Sequence, residues 1–309
     1  MAQELLAGSP LALARVITLV ENEAPESARL MEELHPRSSQ TFRLGITGPP
    51  GAGKSTLADQ LAKCYREDGL RVGIISVDPT SPFTGGSLLG DRLRMSDLYK
   101  DDGVFIRSMA TRGVSGGLAG RTQEVGDVVE AAGYQVIIFE TVGVGQVELD
   151  VMEAVDTTLV VLVPESGDEI QLMKAGIIEI ADVFVVNKAD REGAGKLRQI
   201  LEQLLELKAN CSQWRIPVTQ TCATKGEGII ELYGQLNKHR EHLVNSGQDA
   251  EKRRQRTRQR VEQLVSKAAM DTFWTPARRK MLERDLDKLS PHELSRRIIQ
   301  EDRVGASQT

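Results

Sequence analysis

The chain has 309 residues, 40% of them hydrophobic, so it can bury the core of one large domain or of two smaller ones. Its formal net charge of -5 at pH 7 argues against a nucleic-acid-binding function for the whole chain, since that function usually shows as a basic surface. The three cysteines form no C-x-x-C pair, which argues against a disulfide framework or a zinc knuckle and favours a reducing cytoplasm. With no secretory signal and no apolar run approaching about 18 residues, we expect neither export nor a membrane span.

Residues 1–40 are predicted to form an N-terminal helical segment. Ser9 and Pro10 are typical of a helix cap and first helical position, and an apolar stripe follows from Leu11 to Val20. Pro25 then precedes a second short helix that ends near Leu34. We expect these helices to pack on the side of the domain that follows.

Residues 41–245 alternate apolar, β-branched runs with helical segments. This alternation predicts an α/β fold with a mostly parallel sheet, helices on both faces and ligands at the carboxyl ends of the strands. The runs lie at residues 42–47, 72–77, 104–106, 136–139, 158–163, 183–186 and 217–218.

A glycine-rich loop follows the first of these runs and matches G-x-x-x-x-G-K-[ST] in full. Its backbone N–H groups and the start of the next helix are suited to binding polyphosphate. Lys54 is predicted to reach the β and γ phosphates, and the Ser55 hydroxyl to bind Mg²⁺. The predicted phosphate-binding residues are Gly48, Pro49, Pro50, Gly51, Ala52, Gly53, Lys54, Ser55 and Thr56.

A second motif, Asn187-Lys188-Ala-Asp190, follows the run at 183–186 and predicts base recognition. Guanine presents an N1–H and an amino group side by side, and one carboxylate, Asp190, can accept both. Adenine lacks this pair of donors, so the motif favours GTP over ATP. Backbone donors behind the base are expected from Cys222, Ala223 and Thr224.

Three acids at strand or loop ends are candidates for Mg²⁺ binding and catalysis beside Lys54 and Ser55: Asp78, Asp91 and Glu140. Helix capping or a turn remains an alternative for Asp78 and Asp91. The N–H of Gly143 is expected to sense the γ phosphate.

Val144, not a glutamine, follows that glycine, so we predict slow intrinsic hydrolysis that a partner completes. Surface ion pairs are the favoured use of any one of the arginines that could instead supply charge in cis: Arg92, Arg94, Arg107, Arg112 and Arg121.

Residues 246–309 read as a C-terminal helical segment. The basic run from Lys252 to Arg260 favours a solvated helix face or a subunit arm over a nucleic-acid patch. Further helices are predicted after Pro276 and at Ser290, where a capping box begins. We expect a helical appendage that dimerises.

Taken together, the motifs resemble the MeaB/ArgK family of P-loop GTPases over nearly the whole chain. They comprise residues 48–55, 77–81, 85–92, 111–113, 140–146, 167–171 with Lys174, and 187–190. The resemblance implies a GTPase chaperone of adenosylcobalamin-dependent acyl-CoA mutases, chiefly methylmalonyl-CoA mutase, which gates cofactor loading and helps remove damaged cofactor. It also implies that Asp78, Asp91 and Glu140 join Ser55 at Mg²⁺, that residues 164–174 with Gln171 and Lys174 form a partner-facing switch, and that the C-terminal helices form a homodimer.

Two other functions remain open. A nickel-type metallochaperone GTPase would need a metal-delivering cluster, whereas His35, His239, His242 and His292 are scattered and the pair at 239 and 242 is expected on a helix surface. A P-loop kinase would not need the motif that ends at Asp190. From chemistry alone, the loop that begins at Pro164 fits a nucleotide-responsive element and a passive one equally.

Overall fold

The computed structural model describes residues 1–35, 41–78, 98–110, 118–141, 151–166, 177–208 and 213–305. The strands in this part of the chain are β1 (Phe42–Thr47), β2 (Val72–Asp78), β3 (Val104–Ala110), β4 (Val136–Thr141), β5 (Thr157–Leu162), β6 (Val183–Asn187) and β7 (Val218–Thr221). The helices are α1 (Ala2–Leu6), α2 (Pro10–Glu21), α3 (Ser27–Leu34), α4 (Lys54–Glu67), α5 (Leu118–Ala131), α6 (Ile177–Ile180), α7 (Ala194–Lys208), α8 (Ile229–Ser246), α9 (Gln248–Phe273), α10 (Pro276–Asp285) and α11 (Pro291–Gly305).

Over the described residues the strands form one seven-stranded sheet in the order β3-β2-β4-β1-β5-β6-β7. Every pairing is parallel, which confirms the predicted fold class. Strands up to β4 lie on one side of β1, and strands from β5 onward lie on the other. The strand order therefore changes direction at β1, and in open α/β sheets ligands bind at the carboxyl edge beside such a point.

Both faces of the sheet are covered. Leu57 and Leu61 of α4 pack with Leu232 of α8 against one face. Ile74 of β2 faces this layer, whereas its neighbour Ile75 faces the opposite one. Because successive strand residues point to opposite faces, a sheet covered on both sides requires continuous apolar runs, as the sequence has.

The N-terminal helices belong to the second of these layers. The Ser9 hydroxyl accepts the Ala12 N–H at 3.3 Å, which confirms the predicted cap of α2. Val16 and Ile17 are fully buried in the core on this face, and α2 packs on α5 and β3. An ion pair of 2.6 Å between Arg107 of β3 and Glu21 fixes the end of α2.

The described chain falls into two compact units, Met1–Arg256 and Thr257–Thr309. The second contains the later part of α9 with α10 and α11. Thr275 caps α10 by accepting the Arg278 N–H at 3.3 Å, and Ser290 caps α11 in the same way. No helix in the described ranges combines the length and the apolar character that crossing a bilayer requires.

Candidate functional site

The glycine-rich loop connects β1 to α4 at the centre of the carboxyl edge. A Cβ on Gly48, whose φ is +141°, would lie 2.0 Å from the carbonyl oxygen of Val161, so the loop lies too close to β5 for any side chain there. Gly53, with φ +91°, immediately precedes the first helical residue, Lys54. The N–H groups at the start of α4 therefore face the loop, as a phosphate site requires.

Lys54 closes the loop. It is 5% exposed, and its ammonium donates to the carbonyl oxygens of Gly48 at 2.6 Å and Pro49 at 3.0 Å. Loop and side chain thus hold each other in place. The cation is already at the mouth of the loop, where a polyphosphate would meet it.

Ser55 and Glu140 meet on the wall of the site. The Ser55 hydroxyl donates to Oε1 of Glu140 at 2.5 Å, and Glu140 is 4% exposed near the end of β4. A hydroxyl and a carboxylate are hard oxygen donors of the kind that Mg²⁺ prefers, so this pair fits that ion. Asp78 is the last residue of β2, at the same edge, but its side chain lies outside the described residues, as do Asp91 and Gly143.

Asn187 joins the glycine-rich loop at residues 48–55 (the phosphate loop) to the loop after β7 at residues 222–227 (the base loop). Its Nδ2 donates to the Ala52 carbonyl at 2.8 Å, and its Oδ1 accepts from the Thr221 hydroxyl at 3.0 Å and the Ala223 N–H at 3.2 Å. The register of β6 and β7 places Asn187 beside Thr221. A Cβ on Gly53 would lie 2.4 Å from Nδ2, so the last glycine of the loop is needed for this contact.

Asp190 stands at the other end of the site, in the turn after β6. Its carboxylate pairs with the Lys225 ammonium at 3.2 Å. That contact, with a weaker one from the Cys222 thiol, lowers the pKa of Asp190. The carboxylate is therefore ionised at neutral pH and can accept hydrogen bonds from a ligand.

The glycine-rich loop and the residues around Asp190 line one cavity of about 430 Å³, a volume typical of ligand sites. The cavity brings together most residues that the sequence assigns to nucleotide binding. Its lining is Pro50, Gly51, Gly53, Lys54, Ser55, Thr56, Glu140, Asn187, Lys188, Asp190, Arg191, Cys222, Ala223 and Thr224. The predicted residues Gly48, Pro49 and Ala52 contribute through their carbonyl oxygens, which hold Lys54 and Asn187.

A sequence profile of the family described as "Methylmalonyl Co-A mutase-associated GTPase MeaB" matches residues 13–278. The chain belongs to the MeaB family. It is a P-loop GTPase. A Pyrococcus abyssi protein provisionally named a GTPase is 49% identical over 269 residues, which cover 86% of this chain and 83% of that protein.

Two further relatives carry more specific names. The mouse protein named methylmalonic aciduria type A homolog, mitochondrial, is 36% identical, with 88% of this chain and 70% of that protein covered. A crystal structure described as LAO/AO transport system kinase superposes with a TM-score of 0.73 at 27% identity, covering 98% of this chain and 96% of that one. The likeness in sequence and fold thus extends over nearly the whole of this MeaB-family chain.

Two arginines considered as charge suppliers in this MeaB-family GTPase are held at the N-terminal helices. Arg107 pairs with Glu21, and Arg121 pairs with Glu23 at 3.1 Å. Ion pairing was the favoured prediction for such arginines. Arg92, Arg94 and Arg112 lie outside the described residues, as do the predicted switch residues Gln171 and Lys174.

Two expectations about exposed polar residues need correction. His239 is 2% exposed, hydrogen-bonded to Thr157 at 2.8 Å and packed on Trp214, although its helix looks polar in sequence. Arg256, within the basic run, is 7% exposed and pairs with Asp156 at 2.7 Å. In both cases the buried polar group has a partner on another element, which sequence spacing does not show.

Sequence analysis also missed two charged residues next to the base loop. Lys225 pairs with Asp190, and Arg191, which lines the cavity, pairs with Glu165 just after β5. A cation directly after each predicted base-binding segment was the available signal. It was weak, because exposed cations are common on any surface.

Proposed function

We propose that this MeaB-family GTPase binds GTP with Mg²⁺ in the cavity and serves as a chaperone of an adenosylcobalamin-dependent acyl-CoA mutase. In this proposal the nucleotide state gates loading of the cofactor into the mutase and supports its protection and reactivation. The observation that carries the nucleotide part is the double attachment of Asn187, which holds a phosphate loop and a base loop around one cavity. Methylmalonyl-CoA mutase is the first client to test.

At the phosphate end, Lys54 would exchange its bonds to loop carbonyls for bonds to the β and γ phosphate oxygens. Ser55 and Glu140 would hold Mg²⁺, with Asp78 and Asp91 as further predicted oxygen donors. When bound, the ion neutralises charge on the phosphate oxygens. Because hydrolysis is expected to be slow, binding of the client is proposed to accelerate it.

At the base end, Asp190 would accept the N1–H and the amino group of guanine. The lowered pKa of its carboxyl supports this role, because only the ionised form accepts both donors without a competing proton. Lys188 and the segment Cys222–Thr224 line the same part of the cavity. The N–H of Ala223 is already held by Asn187, so this loop is ordered before a base arrives.

Support for the mutase comes from the family description and from the mouse relative, whose names refer to methylmalonyl-CoA mutase and to methylmalonic aciduria. The segment from Pro164 to Lys174 is proposed to face the client. Glu165, at its start, pairs with Arg191 in the cavity wall, which gives the segment a contact with the nucleotide site.

We also propose that the chain consists of a helical segment at residues 1–40, a GTPase domain at 41–245 and a homodimerisation arm at 246–309. We propose a cytoplasmic location for the protein. Support for the arm comes from the second unit, where Val261, Leu264 and Val265 are about half exposed on α9. Their spacing places them on one face of the helix. Burying that face against a second copy would remove apolar surface from water.

The client can be tested by affinity capture from an extract of the native cell, with the full chain as bait and with or without a non-hydrolysable GTP analogue. Recovery of a cobalamin enzyme in a nucleotide-dependent manner is the expected result. Lys54→Ala, which removes the phosphate-binding cation, should abolish the nucleotide dependence. Capture of no cobalamin enzyme in either state would contradict the chaperone proposal.

The structural relative described as a kinase makes phosphoryl transfer a second candidate. GTP labelled at the γ position separates the two activities. Label released only as inorganic phosphate is expected for a GTPase chaperone. Transfer of label to a protein or small molecule would instead favour a kinase.

A further inference from the structure

Lys225 contacts the Asp190 carboxylate, to which the proposed function assigns recognition of the base. It is the last residue of the short 3-10 helix Ala223–Lys225, and its ammonium lies 3.2 Å from Oδ2 of Asp190. Asp190 lines the cavity, whereas Lys225 lies outside the set of described residues that do so. The lysine therefore contacts a carboxylate of the cavity wall without lining the cavity itself.

Backbone hydrogen bonds hold the segment that carries Lys225 close to the turn that carries Asp190. The Ala189 N–H donates to the Thr221 carbonyl at 2.9 Å, which joins the turn carrying Asp190 to the end of β7. The Cys222 N–H donates to the Glu227 carbonyl at 3.0 Å and closes the loop around Lys225. The start of the Lys225 side chain is thus held near Asp190 by main-chain bonds on both loops.

The hydrogen-bonding capacity of the carboxylate leaves room for a base. An ionised carboxylate offers about four lone-pair sites. The Lys225 ammonium lies 3.2 Å from Oδ2 and uses one of these sites, so this contact leaves others for the pair of donors that guanine presents, the N1–H and the amino group.

An aspartate carboxyl needs such a partner to be oriented. Its last torsion is broad and roughly two-fold, so an exposed carboxyl rotates between many orientations. The side chain of Asp190 is 41% exposed, and its described ion pair is with Lys225. Without that ion pair, the two carboxylate oxygens would be free to rotate.

We propose that Lys225 is a positioning residue for guanine recognition, holding the Asp190 carboxylate in the orientation that accepts both donors of the base. This inference rests on the proposed role of Asp190 in reading guanine. It assigns Lys225 a part in specificity without a contact to the nucleotide. The side chains of the pair are about half exposed, so its contribution to global stability is small, and its effect is expected in base selectivity.

The test compares the affinities of GDP, IDP and ADP for the full chain by competition against a fluorescent GDP analogue. IDP lacks the amino group of guanine, and ADP lacks both donors. Lys225→Met should weaken GDP binding by about three- to fivefold, IDP binding less, and ADP binding not at all. Lys225→Arg, which keeps a cation, should retain most of the GDP affinity. Lys238→Met, a loss of the same charge at an exposed site on α8, should bind all three as the parent chain does.

A parallel Asp190→Asn variant distinguishes failure of this inference from failure of the proposal that Asp190 recognises guanine. If Asp190→Asn weakens GDP relative to ADP while Lys225→Met leaves GDP affinity unchanged, the positioning role is wrong and guanine reading stands. Equal weakening of all three nucleotides by Lys225→Met would also overturn the inference, because it indicates disruption of the loop. If Asp190→Asn leaves the preference for GDP unchanged, guanine reading by this carboxylate fails and the role of Lys225 fails with it.

Discussion

Asn187→Ala tests whether one side chain holds the two halves of the nucleotide site together. The substitution removes a donor to the Ala52 carbonyl and an acceptor shared by the Thr221 hydroxyl and the Ala223 N–H. Asn187 is 3% exposed, so all three of these bonds are protected in the folded chain. The expected result is a less stable chain even without nucleotide.

The magnitude follows from the three bonds. Each typical hydrogen bond contributes about 0.5–1.5 kcal/mol net, and buried groups left without partners cost more. Asn187 borders the cavity, so water can reach some of the exposed groups and limit the loss. We therefore expect Asn187→Ala to lower the free energy of unfolding by about 2–3 kcal/mol.

Urea unfolding followed by circular dichroism measures this loss as a lower midpoint at an unchanged slope. Thr221→Val is the matched control, because it removes one of the three bonds and should cost about 1 kcal/mol. Asn187→Asp keeps the size of the side chain but places an oxygen 2.8 Å from the Ala52 carbonyl oxygen. This repulsion should make Asn187→Asp at least as damaging as Asn187→Ala.

A different outcome would refute the reasoning. If Asn187→Ala and Thr221→Val cost the same within about 0.5 kcal/mol, the bonds to Ala52 and Ala223 do not contribute to folding, and Asn187 does not connect the loops. If Asn187→Asp were as stable as the parent chain, the side chain would act by size alone.

Three further predictions concern stability. Burial lowers the pKa of His239 to about 4, below the ordinary histidine value near 6.5. The folded chain therefore keeps the ring neutral at pH values where the unfolded chain protonates it, so this contribution to stability is fully present above pH 6.5 and is lost as the pH falls. Stability should fall by about 3 kcal/mol as the pH drops from 6.5 to 4, and His239→Gln should flatten this part of the pH profile in urea titrations. Gly228 has a φ of +74°, and Gly228→Ala would place a Cβ 2.1 Å from a backbone oxygen of β7. The substitution should lower the free energy of unfolding by at least about 2 kcal/mol in the same urea titration. Gly234→Ala is the control, because this glycine of α8 faces open space and its replacement should be neutral or slightly stabilising. Arg256→Met leaves the buried Asp156 carboxylate without the Arg256 cation and should lower the free energy of unfolding by about 3–5 kcal/mol. Adding Asp156→Asn should recover part of that loss. If the losses of the two single variants simply add in the double variant, the pairing is contradicted.

The sequence was sufficient for the parts of the site that depend on local geometry. The loop from Gly48 to Ser55 needs glycines and a following helix, and both are visible in the motif. The carboxyl-edge position of Glu140 and Asp190 follows from the alternation of strands and helices. These positions in the fold can be predicted because neighbours along the chain determine them.

Contacts between distant segments could not be predicted in this way. The bond from Asn187 to Ala52 spans 135 positions, and no pattern in either motif specifies it. The burial of Arg256 depends on Asp156, 100 positions earlier, so a run of cations looks solvated until the fold is known. Lys225 was missed, and His239 was expected on a helix surface, for the same reason: their partners lie on other elements.

The first three helices have a practical consequence for anyone who shortens this chain. Val16 and Ile17 share a core with α5, and α2 packs on both α5 and β3, so residues 1–34 shield part of that layer from water. A truncated version that starts at Phe42 would retain every described residue that lines the cavity, yet it would expose a broad apolar surface. Such a fragment would aggregate, and its failure in a binding assay would report on solubility and not on the phosphate loop.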